Sequence, residues 1–252
     1  MNPILRLDKV CKHFGGVVAA DDVTFSVMPG EVHGLIGPNG AGKSTLMNLI
    51  SGIYIPDSGS VFLDEKDISD VPSHMRARLG IGRTFQTPRF LQRSSIRDNM
   101  LLGTDLANQM GYVNSYFGKT GADFNAELDD LMKYLDFTFD WEDDISALAY
   151  GQRKQLEIVR SMLSHPKIML VDEPAAGLNN KEIDDVMALL NHAAKDLGIG
   201  VLLIEHSMDM IMNICENIVV LCFGKVIAQG VPAEIACNEE VIEAYLGRDM
   251  DA

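Results

Sequence analysis

Gly37-Pro38-Asn39-Gly40-Ala41-Gly42-Lys43-Ser44-Thr45 gathers glycines, a lysine and two hydroxyls into one short run. The order fits the phosphate-binding pattern G-x-x-x-x-G-K-[ST]. Glycines let the backbone wrap closely enough for consecutive N–H groups to point at phosphate oxygens. A helix starting here adds its own free N–H groups and partial positive charge. In such a loop Lys43 reaches the β- and γ-phosphates and the Ser44 hydroxyl holds Mg²⁺. Far along the chain, Val171-Asp172-Glu173 closes an apolar run with two carboxylates. An aspartate at such a strand end holds the Mg²⁺ shell. Glu173 beside it is suited to take a proton from an attacking water. Alone, that pair reads as a strand ending in a polar turn before Pro174. With the loop at 37–45 it reads as the second half of a nucleotide-hydrolysing site.

These groups need a frame. Glu31 to Ile36 reads as a strand before the loop, and Ser44 to Leu49 as the start of a helix with Leu46, Leu49 and Ile50 on one side. The pattern thus sits in its strand–loop–helix context. Leu5–Val10, Val23–Val27 and Ser60–Leu63 read as strands, with turns at Phe14-Gly15-Gly16, Pro29-Gly30 and Ile55–Gly59. Ser73–Leu79 looks helical and Ile81–Phe85 extended. Ile168–Val171 and Gly200–Ile204 are continuous apolar runs, expected as buried parallel strands. Helices are expected at Gln152–Leu163, Lys181–Leu197 and Ser207–Ile214. In the first, Leu156, Val159 and Leu163 face inward and Arg153, Lys154 and Arg160 lie elsewhere. Ile218–Phe223 and Val226–Gln229 read as a hairpin, and Pro232–Leu246 as a helical tail.

From about Leu91 to Ala147 the texture changes. Helical spacing recurs in Ile96–Leu102 and Phe124–Leu135, around a turn-rich stretch from Gln109 to Gly121. Asp140-Trp141-Glu142-Asp143-Asp144 reads as a solvated acidic loop. This gives one domain over 1–252, with a core at about 4–90 and 153–250 and a helical subdomain at about 91–152.

The chain has 252 residues and a net charge of -15, so no basic excess exists to hold a nucleic acid by its phosphates. No apolar run approaches the ~20 residues that span a bilayer, and the start shows no signal peptide. Cys11, Cys215, Cys222 and Cys237 form no close pair and are expected to be reduced, mostly buried thiols of a cytoplasmic protein.

Taken together, the motifs resemble those of the ATP-binding subunit of an ABC transporter, over nearly the full length. Besides the two strong motifs, Phe14 stands where that family has an aromatic that stacks on adenine. Gln86, in Arg83-Thr84-Phe85-Gln86, stands at the glutamine loop that couples the γ-phosphate and Mg²⁺ to the membrane partner. Leu148-Ala149-Tyr150-Gly151-Gln152 occupies the signature position. Ala176-Gly177-Leu178-Asn179 lies at the loop facing the other subunit, and His206 at the switch-histidine position. Singly, each reads more simply as a surface glutamine, a structural histidine or a core phenylalanine; their shared order carries the resemblance.

The resemblance implies an α/β fold: a P-loop NTPase (RecA-like) parallel-sheet core, an antiparallel side sheet and a helical insertion. It implies ATP and Mg²⁺, with Ser44, Gln86 and Asp172 at the metal. Glu173, His206 and Gln86 would be catalytic, and Phe14 with Gly37 to Thr45 would bind ATP. The signature would face the ATP of a second such subunit, the same chain or a paralogue. Other implied partners are transmembrane permease subunits and, indirectly, an extracytoplasmic solute-binding protein. The chain would then sit peripherally at the cytoplasmic face of the membrane. The usual signature is Leu-Ser-Gly-Gly-Gln; Ala149 and Tyr150 here replace its serine and first glycine, removing a hydroxyl but leaving the helix-start N–H groups. Asn179 replaces a common aspartate. These variants, with the ending Val241 to Gly247, look most like the branched-chain amino-acid uptake subfamily. Alternatives are a urea or amide importer and a soluble non-transport ABC ATPase, although no second ATPase unit or long coiled coil is evident. A GTPase is disfavoured because Asn180-Lys181-Glu182-Ile183 lacks the aspartate of a guanine-reading motif.

Overall fold

The computed structural model describes residues 2–104 and 121–246. Most of the turn-rich stretch from Gln109, and Gly247 in the C-terminal resemblance, lie outside them. Ten strands are described, with helices between them. In chain order they run β1 (Leu5–Phe14), β2 (Val17–Val27), β3 (Val32–Ile36), α1 (Lys43–Ile50), β4 (Ser58–Leu63), β5 (Lys66–Asp67), α2 (Ser73–Leu79) and β6 (Ile81–Arg83). Then come α3 (Ile96–Leu101), α4 (Gly121–Met132), a 3-10 turn at Ile145–Ala147, α5 (Tyr150–Met162), β7 (Ile168–Asp172) and α6 (Asn180–Lys195). The chain closes with β8 (Gly200–Ile204), α7 (Met208–Ile214), β9 (Asn217–Cys222), β10 (Lys225–Gly230), α8 (Pro232–Ala236) and α9 (Glu239–Leu246).

The strands form two sheets, ordered β10-β9-β3-β8-β7-β6 and β2-β1-β4-β5. In the larger, β6, β7, β8, β3 and β9 run parallel and β10 closes the edge antiparallel. The smaller sheet is antiparallel throughout. The apolar runs are explained by burial on both faces. Met169, Val171, Val201, Leu203, Ile218 and Val220 point to the helices. Ile168, Leu170, Leu202, Ile204, Val219 and Leu221 point to α1 and the side sheet. Alternation persists, but both positions are apolar because both sides are covered.

Some expectations need correction. β1 continues beyond Val10 to Phe14, because β2 begins at Val17 and pairs with its end. The helical tail is two helices, broken at Cys237-Asn238. Only Cys215 is buried; Cys11 and Cys222 are half-buried and Cys237 exposed, and all are free thiols. Lys154, expected away from the inner face of its helix, is nonetheless buried, at 3% exposure. Among the described residues no helix is long and apolar enough to cross a membrane.

Candidate functional site

The phosphate loop leaves β3 and enters α1. Gly37 has φ 149° and a Cβ there would fall 2.1 Å from the Leu221 carbonyl oxygen. Gly42 has φ 110° and a Cβ would fall 2.3 Å from the Ala19 oxygen. Neither position admits a side chain. The β9–β10 turn braces the loop from below, with Gly224 N–H donating to the Ala41 carbonyl at 2.8 Å. Lys43 is buried, and its Nζ donates to Gly37 O at 2.6 Å and Pro38 O at 3.2 Å. Burial lowers its pKa, while the charges of Glu173 and Asp172 oppose the shift.

The sheet order brings the second motif alongside. β8 lies between β3 and β7, so the residues following β7 and β8 emerge beside the loop. Glu173 takes a left-handed backbone (φ 48°), and its N–H donates to Ile204 O at 2.8 Å. Its two carboxylate oxygens have different partners. Gln86 Nε2 donates to Oε2 at 2.8 Å, and His206 Nε2 lies 3.0 Å from Oε1. Phe14, Val17, Val18, Ala19, Glu173 and His206, with Asn39 to Thr45, line one cleft of about 370 Å³.

Asp172 ends β7 and is half-buried. Burial raises its pKa; Arg83 is the strongest influence lowering it, and Glu173 raises it further. A carboxylate that burial disfavours in its charged form is suited to a cation. Asp172, the Ser44 hydroxyl and the Gln86 amide each offer an oxygen of the hard type that suits Mg²⁺.

The signature residues do not line this cleft. Helix α5 starts at Tyr150, earlier than expected, so Tyr150, Gly151 and Gln152 form its first turn. Ala149 is the N-cap and has no oxygen to offer. Half a capping box survives, in which Ala149 N–H donates to Gln152 Oε1 at 2.9 Å. Tyr150 Oη donates to the Gln86 carbonyl at 3.2 Å. Leu148 is buried. Asn179 caps α6, accepting from Glu182 N–H at 3.1 Å.

Several residues that organise the site were not singled out from the sequence. Glu205 is buried, and accepts from Ala175 N–H at 2.6 Å, His206 N–H at 2.8 Å and Ser207 N–H at 3.2 Å. It ties the Glu173 loop to the His206 loop. Glu157, on α5, accepts from Phe85 N–H at 3.4 Å and Arg89 N–H at 3.3 Å, on either side of Gln86. A charged residue within an apolar helical pattern was the only available signal for Glu157 and Lys154.

Comparisons with known proteins agree with this geometry. The family model described as ABC transporter matches residues 20–176, and that described as branched-chain amino acid ATP-binding cassette transporter matches 225–251. The high-affinity branched-chain amino acid transport ATP-binding protein BraF of Pseudomonas aeruginosa is 37% identical, over 97% of this chain and 98% of that protein. LivG of Escherichia coli, of the same description, is 35% identical over the same shares. The solved ATP-binding cassette MJ1267, in its ADP conformation, superposes with a TM-score of 0.83 at 32% identity, covering 98% of this chain and all of that one. With the phosphate loop, Glu173 and His206 lining one cleft, and relatives matching end to end, the chain belongs to the ABC transporter family as an ATP-binding subunit.

Proposed function

We propose that this protein hydrolyses ATP to drive an ABC importer of branched-chain amino acids, with Glu173 as the general base. The observation that carries the reading is the Glu173 carboxylate, clasped between Gln86 and His206 at the cleft of the phosphate loop. Phe14 offers a ring for the base. The loop N–H groups and Lys43 hold the phosphate chain. Ser44, Gln86 and Asp172 would hold Mg²⁺, which when bound neutralises charge developing between β- and γ-phosphates. Glu173 takes the proton of the attacking water, and His206 holds the carboxylate and reaches toward the γ-phosphate. The helix-start N–H groups at Tyr150 to Gln152 face the nucleotide of a second subunit, in place of the missing serine hydroxyl.

Closure of two subunits on ATP and their release after hydrolysis would shift a two-state equilibrium in the permease. The core at about 4–90 and 153–250 carries the chemistry. The subdomain at about 91–152, with Arg89 to Leu102 beside Gln86, receives a helix of the permease at the cytoplasmic face of the membrane. Exposed Leu91 and Leu102 support that assignment. The choice of solute rests on the relatives, since the solute never meets this subunit.

Glu173→Gln keeps shape and hydrogen-bonding reach but cannot accept the proton. ATP should bind as before while turnover falls by about 10²–10⁴-fold, the usual share of general-base catalysis. Turnover at the wild-type rate would falsify the base. For the solute, vesicles carrying the permease subunits with this chain should take up leucine on ATP addition; uptake of urea instead would move the assignment.

A further inference from the structure

Lys154 is a buried cation to which the chemistry above gives no task. It lies on α5, in the turn after Tyr150, and is 3% exposed. Its Nζ donates to the Glu173 carbonyl and, at 2.9 Å, to the Ala176 carbonyl. Those two carbonyls bracket Pro174-Ala175, where the chain reverses from β7 toward α6. Proline has no N–H with which to brace such a turn. Glu173 itself holds a left-handed backbone, φ 48°, which a side chain with a Cβ keeps only when its surroundings fix it.

A buried ammonium is tolerated only when paired and hydrogen-bonded. Here burial lowers its pKa, against the charges of Glu205, Glu173, Glu157 and Asp172. Two carbonyls and this acidic ring form a dedicated seat. Glu205 holds the same turn from the other side, through Ala175 N–H. The turn is therefore gripped at a donor by Glu205 and at two acceptors by Lys154.

We propose that Lys154 is a positioning residue for hydrolysis: its ammonium fixes the segment Glu173 to Ala176 and so holds the Glu173 carboxylate between Gln86 and His206. The consequence reaches across the assembly. The helix whose first turn faces the partner's nucleotide is the helix that sets the base over its own. Glu157 and Tyr150 on the same helix hold the glutamine loop, so both groups that flank the reaction depend on where α5 stands. This rests on the reading of Glu173 as the base.

The test is Lys154→Met, which keeps an apolar stem of similar length and removes every donor, compared with Lys154→Arg, Glu173→Gln and the double variant Lys154→Met/Glu173→Gln. Steady-state hydrolysis and calorimetric ATP binding are both read. Lys154→Met should lower kcat by about 10²-fold, the effect of displacing a reacting group by an ångström, with ATP affinity close to wild type. Lys154→Arg should recover part of kcat. The double variant should be no slower than Glu173→Gln alone, because one residue acts through the other.

A folded Lys154→Met with wild-type kcat would overturn the proposal, as would kcat and affinity lost in parallel, or a double variant slowed by the product of both effects. Where Lys154→Met does not fold, Lys154→Gln, which keeps amide donors, is read by the same split between kcat and affinity. A slow Glu173→Gln beside a fast Lys154→Met refutes only the positioning role. A fast Glu173→Gln refutes the base itself.

Discussion

The Glu182 carboxylate occupies the space that a side chain on Gly151 would need: a Cβ there would stand 2.2 Å from Glu182 Oε1. Glu182 is not free to withdraw. Its Oε2 accepts from Asn179 N–H at 2.9 Å, while Asn179 Oδ1 accepts from Glu182 N–H at 3.1 Å, a complete capping box at the start of α6. The signature turn and the start of α6 are thus fitted together through one glycine.

Gly151→Ala should therefore destabilise the fold by about 1–3 kcal/mol, the cost of overpacking a filled site. The sign is informative, since glycine to alanine inside a helix ordinarily stabilises by about 0.5–1 kcal/mol. Thermal melts should show the loss, and Gly151→Ala/Glu182→Ala should recover most of it. Alanine raising the melting temperature by itself would mean that Glu182 moves freely.

Lys43→Ala removes the one cation seated in the phosphate loop. Charge-assisted hydrogen bonds contribute about 1.5–3 kcal/mol, so ATP affinity should fall on the order of 10- to 100-fold. Calorimetry reads this directly, and unchanged affinity would place the phosphates elsewhere.

Asp172 should trade stability for metal binding. Burial raises its pKa above the ordinary 3.8, so the folded state keeps this proton to higher pH than the unfolded chain does. Stability contributed by the neutral form is present below that ordinary value and declines as pH rises through the raised one. Asp172→Asn should then melt higher than wild type at neutral pH in the absence of nucleotide. The gap should close as pH falls toward about 4, and Mg²⁺-dependent hydrolysis should be lost. A variant that melts lower at neutral pH would show that the charge stabilises the free protein, through Arg83 and Lys43.

Phe14 should read the base poorly. The residue is 42% exposed, and its ring is held edge-on against Tyr54 at 5.1 Å between centroids. Stacking contributes about 1–3 kcal/mol per base and tolerates base identity. Phe14→Ala should weaken ATP and GTP by similar factors, and GTP should compete with ATP in the wild type. Strict adenine selectivity would point to hydrogen bonds that read the base edge.

Contiguous chemistry was legible in the sequence. Residues 37–45 announce themselves because one backbone loop does the whole task, and the buried strands because their apolar runs permit little else. Groups that act across the fold were not. Arg76 reads as one more cation on a short helix; it is fully buried, and its guanidinium donates to the carbonyls of Leu49, Ile50, Ser69 and Val71, ending α1. Lys154 and Glu205 likewise bind backbone far off in sequence, and periodicity carries no trace of such partners. Gln86, His206 and Phe14 were found only through resemblance, because a lone polar or aromatic residue has no spacing to read.

The order of the central strands has an evolutionary consequence. The phosphate loop, His206 and the carboxylate pair are spaced by three adjacent rungs of one parallel ladder, β3, β8 and β7. The span from about Leu91 to Ala147 adds no strand to that ladder among the described residues. Under the proposed function, its length and surface can drift, and different permeases can be fitted, without respacing Lys43, Glu173 and His206. One engine can thus be inherited intact while its couplings to cargo are rewritten.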